Sequence, residues 1–322
     1  MHKMSNLEYS FIAQELSSLV GKHFSRIRKI AEGIYRIKIG TLEIICEAGV
    51  RLHATKYLAE AQPHDKFVEK TEKELGNAKL LSIEQINNDR IVSFNFDKGA
   101  LVFEMFGHGN IILVKDRKTI TAMRFESWSD REIKPGSTYR YPSSKPSEKL
   151  EASEKYIIVS LMKLPLGKEY ALEALARLGI DEKTPGKKLS GNQLGMLEKE
   201  LLSIRESAKP FLFLAGGKPA EYSLARLSAY SDLDAKECKT LSEAADEYYA
   251  NMEEANPELD KLQRRLEKQE ERLERLKEEE KSYKEKGDYI YANYQQVEEI
   301  LEKAKEGKIK TDKKEKSVEA DI

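Results

Sequence analysis

Hydrophobic positions along the chain follow a helical period, then a strand-like one, then a helical one again. In residues 7–20, LEYSFIAQELSSLV, apolar side chains recur at Leu7, Phe11, Ile12, Leu16, Leu19 and Val20, and Gly21 closes the run, which predicts one amphipathic helix. Short strand-length runs follow: HFSRIRKI, IYRIKIG, LEIICEAG, then KLLSIEQI, IVSFNF, ALVFEMFG and NIILVK, punctuated by Gly, Asn and Asp. Asp97-Lys98-Gly99 between two of them is a hairpin signal, because glycine reaches the positive φ that tight turns use. An antiparallel meander is expected, giving residues 1–150 an α+β fold with a sandwich or half-barrel core. A polar stretch with Pro135, Pro142 and Pro146 ends it.

The period turns helical in residues 151–209. KYIIVSLMKLPLG, EYALEALARLGI and SGNQLGMLEKELLSIRESA predict helices separated by a break at Gly179 and the loop DEKTPGKK, with Ser190 capping the last. Residues 210–250, with FLFLAG and EYSLARL, read as short strand-like pieces returning to the first domain. From Pro257 a stricter pattern begins. Leu259, Leu262, Leu266, Gln269, Leu273, Leu276, Glu280, Tyr283, Gly287, Ile290, Tyr294, Val297, Leu301 and Ala304 alternate steps of three and four among Glu, Lys and Arg. Residues 257–306 are therefore expected to form a coiled-coil arm, whose first ~28 residues alone would reach about 42 Å. A single charged helix lying on the body is the alternative. Gly287 falls on the seam and marks an expected hinge. Residues 307–322 lack apolar periodicity and are expected to be disordered.

Length and composition sharpen this picture. The 322 residues suffice for about two domains. Hydrophobic residues make up 40%, enough for a core, whereas 34% charged residues and a mean hydropathy of -0.62 require a heavily solvated part. No apolar run has transmembrane length, and the opening Met1-His2-Lys3-Met4-Ser5-Asn6 is unlike a signal peptide, so a soluble, cytoplasmic protein away from membranes is expected. Cys46 and Cys238 read as small apolar residues of a reducing compartment. The net charge of -1 conceals a basic stretch, Lys22, Arg26, Arg28, Lys29, Arg36 and Lys38 against Glu32. Any polyanion must be met by such local patches.

Candidate chemistry is sparse. The sequence has no phosphate-binding loop, dinucleotide fingerprint, HExxH or paired CxxC, and its five histidines lack ligand spacing, so neither an enzyme nor a resident metal or cofactor is expected. Three segments remain as candidate nucleic-acid contacts. Phe106-Gly107-His108-Gly109-Asn110 joins two strands, and its glycines let the backbone approach a ligand or another strand, with His108 and Asn110 alongside. Asn87-Asn88-Asp89-Arg90 is either a turn with a surface ion pair, or a site where Arg90 meets phosphate or a base plane and Asp89 accepts from a base amino group. Val50-Arg51-Leu52-His53-Ala54-Thr55-Lys56 puts Arg51 and His53 on one face of an extended segment.

The succession GVRLHATKY, INNDRIVSFNF, LVFEMFGHGNIILV and KGDYIYANYQQVEEIL resembles the NFACT family, the group that includes RqcH and NEMF, from near residue 5 to about 305. That resemblance implies a ribosome-associated quality control factor. It would bind the obstructed large ribosomal subunit (rRNA) with its peptidyl-tRNA and recruit a tRNA, alanyl by the family pattern, for untemplated tailing of the nascent chain. The family's Asp-Arg pair, implicated in tRNA recruitment, falls on Asp89 and Arg90. An acidic residue of its first helix, more usually aspartate, falls on Glu8. Beyond the coiled coil the family pattern continues into a further domain, so a truncated form or a short homologue is expected. Whether the coil pairs within the chain, with a second copy or with that further part is left open.

Pro165-Leu166-Gly167-Lys168-Glu169-Tyr170, with Leu178-Gly179-Ile180-Asp181 and Leu189-Ser190, is similar at greater distance to the helix-two-turn-helix of formamidopyrimidine-type DNA glycosylases. The resemblance implies a glycosylase-like β-sandwich domain carrying an inserted helical domain. Lys168 takes the place of a phosphate-binding asparagine there, and a helix N-terminus with lysine still attracts phosphate. Those enzymes need an N-terminal proline amine, a following glutamate and zinc-finger cysteines, all absent here. DNA repair by a glycosylase or lyase is thus the rival reading. An adhesin, suggested by a fibronectin-binding label in the family, is disfavoured by the missing signal peptide.

Overall fold

The computed structural model describes residues 1–128, 131–142, 146–147 and 149–255, and beyond them 269, 272–273, 275–277, 280, 282–284, 286–288, 290–305, 311–312 and 317–318. Residues Met1–Met252 form one compact unit and Glu253–Ile322 a second.

Strand-length runs joined by tight turns fold into two antiparallel meanders. The first holds β1 (Phe24–Ala31), β2 (Ile34–Ile39), β3 (Leu42–Glu47) and β4 (Arg51–Thr55), side by side in chain order. The second holds β5 (Leu80–Gln85), β6 (Ile91–Phe96), β7 (Gly99–Glu104), β8 (Asn110–Lys115) and β9 (Lys118–Ala122), also in order. Both sheets give side chains to one core, where Ile37, Ile44, Leu52, Phe94, Leu101 and Phe103 are all fully buried. On the other face of the second sheet, Ile91, Val102 and Ile112 form a smaller core with Ile133 and Tyr139. Burial on both faces explains why β6, β7 and β8 read as continuous apolar runs.

Helix α1 (Asn6–Leu16) packs on both sheets, and Leu7, Ile12 and Leu16 enter the core as their spacing requires. The chain leaves it through a 3-10 turn, Ser17–Leu19, so Val20 ends exposed. Helix α2 (Lys66–Leu75) had no counterpart in the sequence reading. Asp65 caps it by accepting the Val68 N–H at 2.9 Å, and Phe67, Val68, Thr71 and Leu75 are its buried face.

Residues 151–209 hold α3 (Ile157–Leu161), α4 (Lys168–Arg177) and α5 (Gly191–Glu206), the last with a Ser190–Gln193 capping box. Two-residue strands β10 (Glu126–Ser127) and β11 (Glu132–Ile133) precede them. The return segment differs from expectation. Its strands β12 (Phe211–Ala215), β13 (Lys218–Ser223) and β14 (Asp234–Glu237) form a separate sheet, ordered β13-β12-β14, and its end is helix α6 (Leu241–Ala255). The run LSEAADEYYANM carries apolar residues at Leu241, Ala244, Ala245, Tyr248 and Tyr249, a helical period. It is α6 that returns to the first meander: Ser242 Oγ accepts the Ala54 N–H at 3.0 Å, and Asp246 Oδ2 accepts the Lys56 N–H at 2.9 Å.

In the second unit, Leu259, Leu262 and Leu266 lie outside the described residues. The described positions from 269 to 305 are helical except for a turn at Asn293, after which α7 spans Tyr294–Lys305. Gly287, the expected hinge, lies inside the helix, and the interruption falls at Asn293. Leu273, Leu276, Tyr283, Ile290, Tyr294 and Leu301 are exposed in the single chain.

Candidate nucleic-acid interface

Asn87 and Asn88 both adopt the left-handed conformation, φ 55° and 54°, as a two-residue hairpin turn requires and as asparagine tolerates. The turn closes through the Asp89 N–H to the Ile86 carbonyl at 2.9 Å and presents Asp89 and Arg90 side by side at the entrance to β6. The two side chains do not pair. Asp89 Oδ1 accepts the backbone N–H of Arg90 at 2.7 Å, and among the described residues the Arg90 side chain has neither hydrogen bond nor ion pair. The hairpin is held from below: Gln85 Nε2 donates to the carbonyls of Asn6 (2.7 Å) and Asp89 (2.9 Å), while Asn6 Nδ2 donates to the Asn88 carbonyl (3.0 Å).

Asp89 and Arg90 line a cavity of about 430 Å³. Asn6 of α1 and Phe106 of the β7–β8 loop form part of its wall, and Met162, Lys163 and Leu164 come from the loop between α3 and α4. Pro142, Pro146 and Ser147 complete it. Arg90, Lys163, an aromatic ring and a carboxylate around one concavity can contact phosphate, stack a base and accept from a base amino group. Asp89, Arg90 and the loop that Phe106 opens are legible in the sequence, whereas Asn6, Met162 and Lys163 carry no local motif.

Lys168 is exposed at the first position of α4. Gly167 before it has φ 123°, and a Cβ there would stand 2.5 Å from Ser5 Cβ, so the starts of α4 and α1 abut. His108 is exposed in the β7–β8 loop, and its carbonyl accepts from Arg124. Asn110 is 2% exposed and its amide is spent internally, on the Arg124 backbone and on Glu126 Oε2 at 3.0 Å. The loop's glycines serve a backbone approach: a Cβ on Gly109 would lie 2.0 Å from the Gly49 nitrogen in the β3–β4 turn. Of the two approaches open at the sequence level, the structure displays the one to another strand connection.

Glu8, Arg51 and His53 face the interior. Glu8 is fully buried; its carboxylate accepts the Ser5 N–H (2.6 Å) and the Tyr170 hydroxyl (2.8 Å), and both its oxygens lie 3.2 Å from His2 Nε2. His2 Nδ1 stands 2.9 Å from Glu221 Oε1 and 3.8 Å from Glu169 Oε1, so one buried imidazole faces three carboxylates. Burial works against the charge on His2, but those carboxylates outweigh it and raise its pKa well above 6.5. Burial likewise opposes ionisation of Glu8, yet His2, the Ser5 amide and Tyr170 hold it below the usual 4.5. Glu169, pushed up by burial and then by Glu8 and Glu221 against the pull of His2, reaches about 7. Arg51 pairs with Glu47 at 3.0 Å and lies 4.1 Å from the centre of the Tyr249 ring. His53 stacks on the same ring, and burial followed by the Arg51 charge drives its pKa down to about 3. As placed here, these three knit α1 and β4 to α4 and α6, and only a rearranged chain could bring them to a polyanion.

The basic stretch at residues 22–38 is also engaged. Arg26, Arg36 and Lys38 converge on Glu43, Arg28 meets Glu72, and Lys29 meets Glu32 and Asp65. Among the described residues, no group of three or more His, Cys, Asp or Glu is placed to hold a metal ion, and no helix is long and apolar enough to cross a membrane.

The fold, an α+β body of two meanders with a helical segment, is shared with solved structures. The N-terminal part of the fibronectin/fibrinogen-binding protein of Streptococcus suis matches 77% of this chain over its whole length, with TM-score 0.60 and 21% identity. The fibrinogen binding protein of Staphylococcus aureus matches 76% over 98% of its own, with TM-score 0.62 and 16% identity. The family model of the NFACT N-terminal and middle domains matches residues 9–321, and the chain belongs to the NFACT family. The archaeal Rqc2 homolog aRqcH of Methanocaldococcus jannaschii is 31% identical over 96% of this chain and 53% of its own length. The ribosome quality control complex subunit NEMF of Homo sapiens is 27% identical over 44% of this chain and 14% of its own. The chain thus spans about half of the archaeal relative and a smaller share of the eukaryotic one.

Proposed function

We propose that this chain acts in ribosome quality control, as a cytoplasmic factor that docks on an obstructed large ribosomal subunit and recruits tRNA to it. The relatives' names supply the ribosomal context. The observation that carries the tRNA reading is the Arg90 side chain, which among the described residues has neither hydrogen bond nor ion pair, beside Asp89 in the wall of a cavity built from α1, two strand connections and the helical segment. An unpaired guanidinium in a concave wall suits phosphate or a base plane, and a carboxylate beside it adds selectivity for base amino groups. In this reading, peptide-bond formation during tailing belongs to the ribosome, with alanyl-tRNA as the substrate delivered. The chain itself supplies recognition without catalysis, and the helical C-terminal unit supplies reach.

The test is competition binding of cognate-enriched against bulk tRNA. Arg90→Ala is expected to lose about 1–3 kcal/mol of tRNA affinity, the range of a bidentate or stacked contact. Asp89→Ala is expected to lose selectivity although it removes a negative charge, which would by itself favour any phosphate contact. Tighter binding of all tRNAs by Asp89→Ala, with selectivity unchanged, would show the pair to be a structural turn.

Lys168 tests the phosphate contribution separately. Lys168→Glu is expected to weaken RNA binding across sequences and to flatten the salt dependence by about one phosphate contact. Equal affinity of wild type and variant at two salt concentrations would exclude it.

A further inference from the structure

The chain has one tryptophan, and it lies beside this cavity rather than in a core. Trp128 follows β10 and is 43% exposed; its backbone N–H donates to the Arg131 carbonyl at 2.8 Å, between the end of β10 and the start of β11. The guanidinium carbon of Arg131 sits 4.4 Å from the indole centre and 6.0 Å from that of Phe106, the ring in the cavity wall. Both aromatics therefore lie against one cation, which links the indole to the Phe106 side of the cavity. Arg131 is fixed by a two-pronged pair with Glu104 (2.5 and 2.8 Å), to which Tyr139 also donates at 2.8 Å. Phe125, 59% exposed, precedes β10 on the connection from β9.

The simplest role for Trp128 is a cover for the buried Arg131–Glu104 pair. That role accounts for the side of the indole in contact with Arg131, but not for the large aromatic area left in water. An exposed aromatic face held rigid over a fixed cation, next to a cavity with Arg90 and Lys163, is the combination that single-stranded RNA uses: charge for the backbone and a π face for the base. Resting on the tRNA reading above, we propose that Trp128, seated on Arg131 beside Phe106, is a stacking platform for an unpaired RNA base flanking the nucleotide held at the Asp89–Arg90 cavity.

Because Trp128 is the sole indole, the intact chain reports on itself. Titration with bulk tRNA, with a blunt RNA duplex as control, is followed by tryptophan emission, and tRNA affinity is measured for wild type, Trp128→Leu, Trp128→Phe and Arg90→Ala. Leucine keeps an apolar cover over Arg131 but has no π face, whereas phenylalanine keeps both. Emission is expected to change with tRNA and not with the duplex. Trp128→Leu should bind tRNA about tenfold more weakly, within the range for losing one stacked base, and Trp128→Phe should stay within about threefold of wild type. Unchanged emission together with wild-type affinity of Trp128→Leu, while Arg90→Ala is weakened, overturns the platform and leaves the cavity reading standing. If Arg90→Ala also binds like wild type, both fall. Should the leucine variant melt early, the emission change in wild type and the affinity of Trp128→Phe decide the matter.

Discussion

Gly109→Ala is expected to lose at least about 4 kcal/mol of folding stability, a large share of the about 5–15 kcal/mol that stabilises a domain. The β7–β8 loop of the second sheet meets the β3–β4 turn of the first at this residue. A Cβ on Gly109 would lie 2.0 Å from the Gly49 nitrogen and 2.4 Å from the Ala48 carbonyl carbon, both backbone atoms that no rotamer change can move. The residue also has φ +65°, which costs a side chain about 1–2 kcal/mol by itself. Gly107, two positions earlier, separates the two effects: its φ is +57°, but nothing lies within 4 Å of where its Cβ would be. Gly107→Ala should therefore lose only about 1–2 kcal/mol. Urea denaturation of both variants is the measurement, and equal losses would show that the close approach of the two turns is not what Gly109 provides.

Removal of the Glu8 carboxylate is the second large effect. Glu8→Ala should cost about 3–5 kcal/mol, because it leaves the buried His2 without its one fully buried counter-charge. His2→Ala should be comparably harmful, and the double variant should lose less than the sum of the two, the mark of a direct pair. The pH dependence follows from the directions of the shifts. Glu8 is held below 4.5 in the fold, so its contribution is present above that value and is lost as pH falls through the lowered folded pKa. His2 is held above 6.5, so its contribution is complete below that value and is lost as pH rises through the raised folded pKa. The stability difference between wild type and His2→Ala should therefore be largest between about pH 4.5 and 6.5 and shrink on the alkaline side. His53, at about 3, gives wild type a slope of opposite sign below pH 6.5, but both proteins carry it and it cancels in the difference. A difference that grows steadily from pH 6.5 to 9 would contradict a charged His2.

Tight coupling at the N-terminus also explains why one unit contains segments the sequence separates. His2 reaches Glu8 of α1, Glu169 beside Tyr170 in α4, and Glu221 of β13, while Tyr248 and Tyr249 of α6 hydrogen-bond its backbone. The helical segment and the return segment are thereby fastened to α1 through one side chain. The cavity draws on that fastening, since its wall combines Lys163, from the connection leading into α4, with Asn6 of α1.

The sequence by itself determined what local period and turn chemistry can dictate. Strands β1 to β3 and β5 to β8, helices α1, α4 and α5, the Ser190 cap and the Asn87-Asn88 turn all follow from spacing and from residues suited to one backbone conformation. The series of motifs was enough to place the chain in its family and to point to Asp89 and Arg90. Helix α6 obeys the same period, but its pattern begins directly after a region of short strand-like runs, which hides its start. Tertiary structure alone decided the rest, because the deciding contacts join residues far apart in the chain. Glu8 and His53 look like available polar groups until burial removes them from solvent, and the 22–38 basic stretch looks like a free binding patch until Glu43, Glu72 and Asp65 are seen to pair with five of its six cations. Conversely, Asn6 and Lys163 carry no local signal, and Phe106 shows in the sequence only as the first residue of a glycine loop. They come to line one cavity with Asp89 and Arg90 only when α1, the strand connections and the helical segment are packed together, and a buried charge cluster and a glycine contact between two turns contribute to that packing.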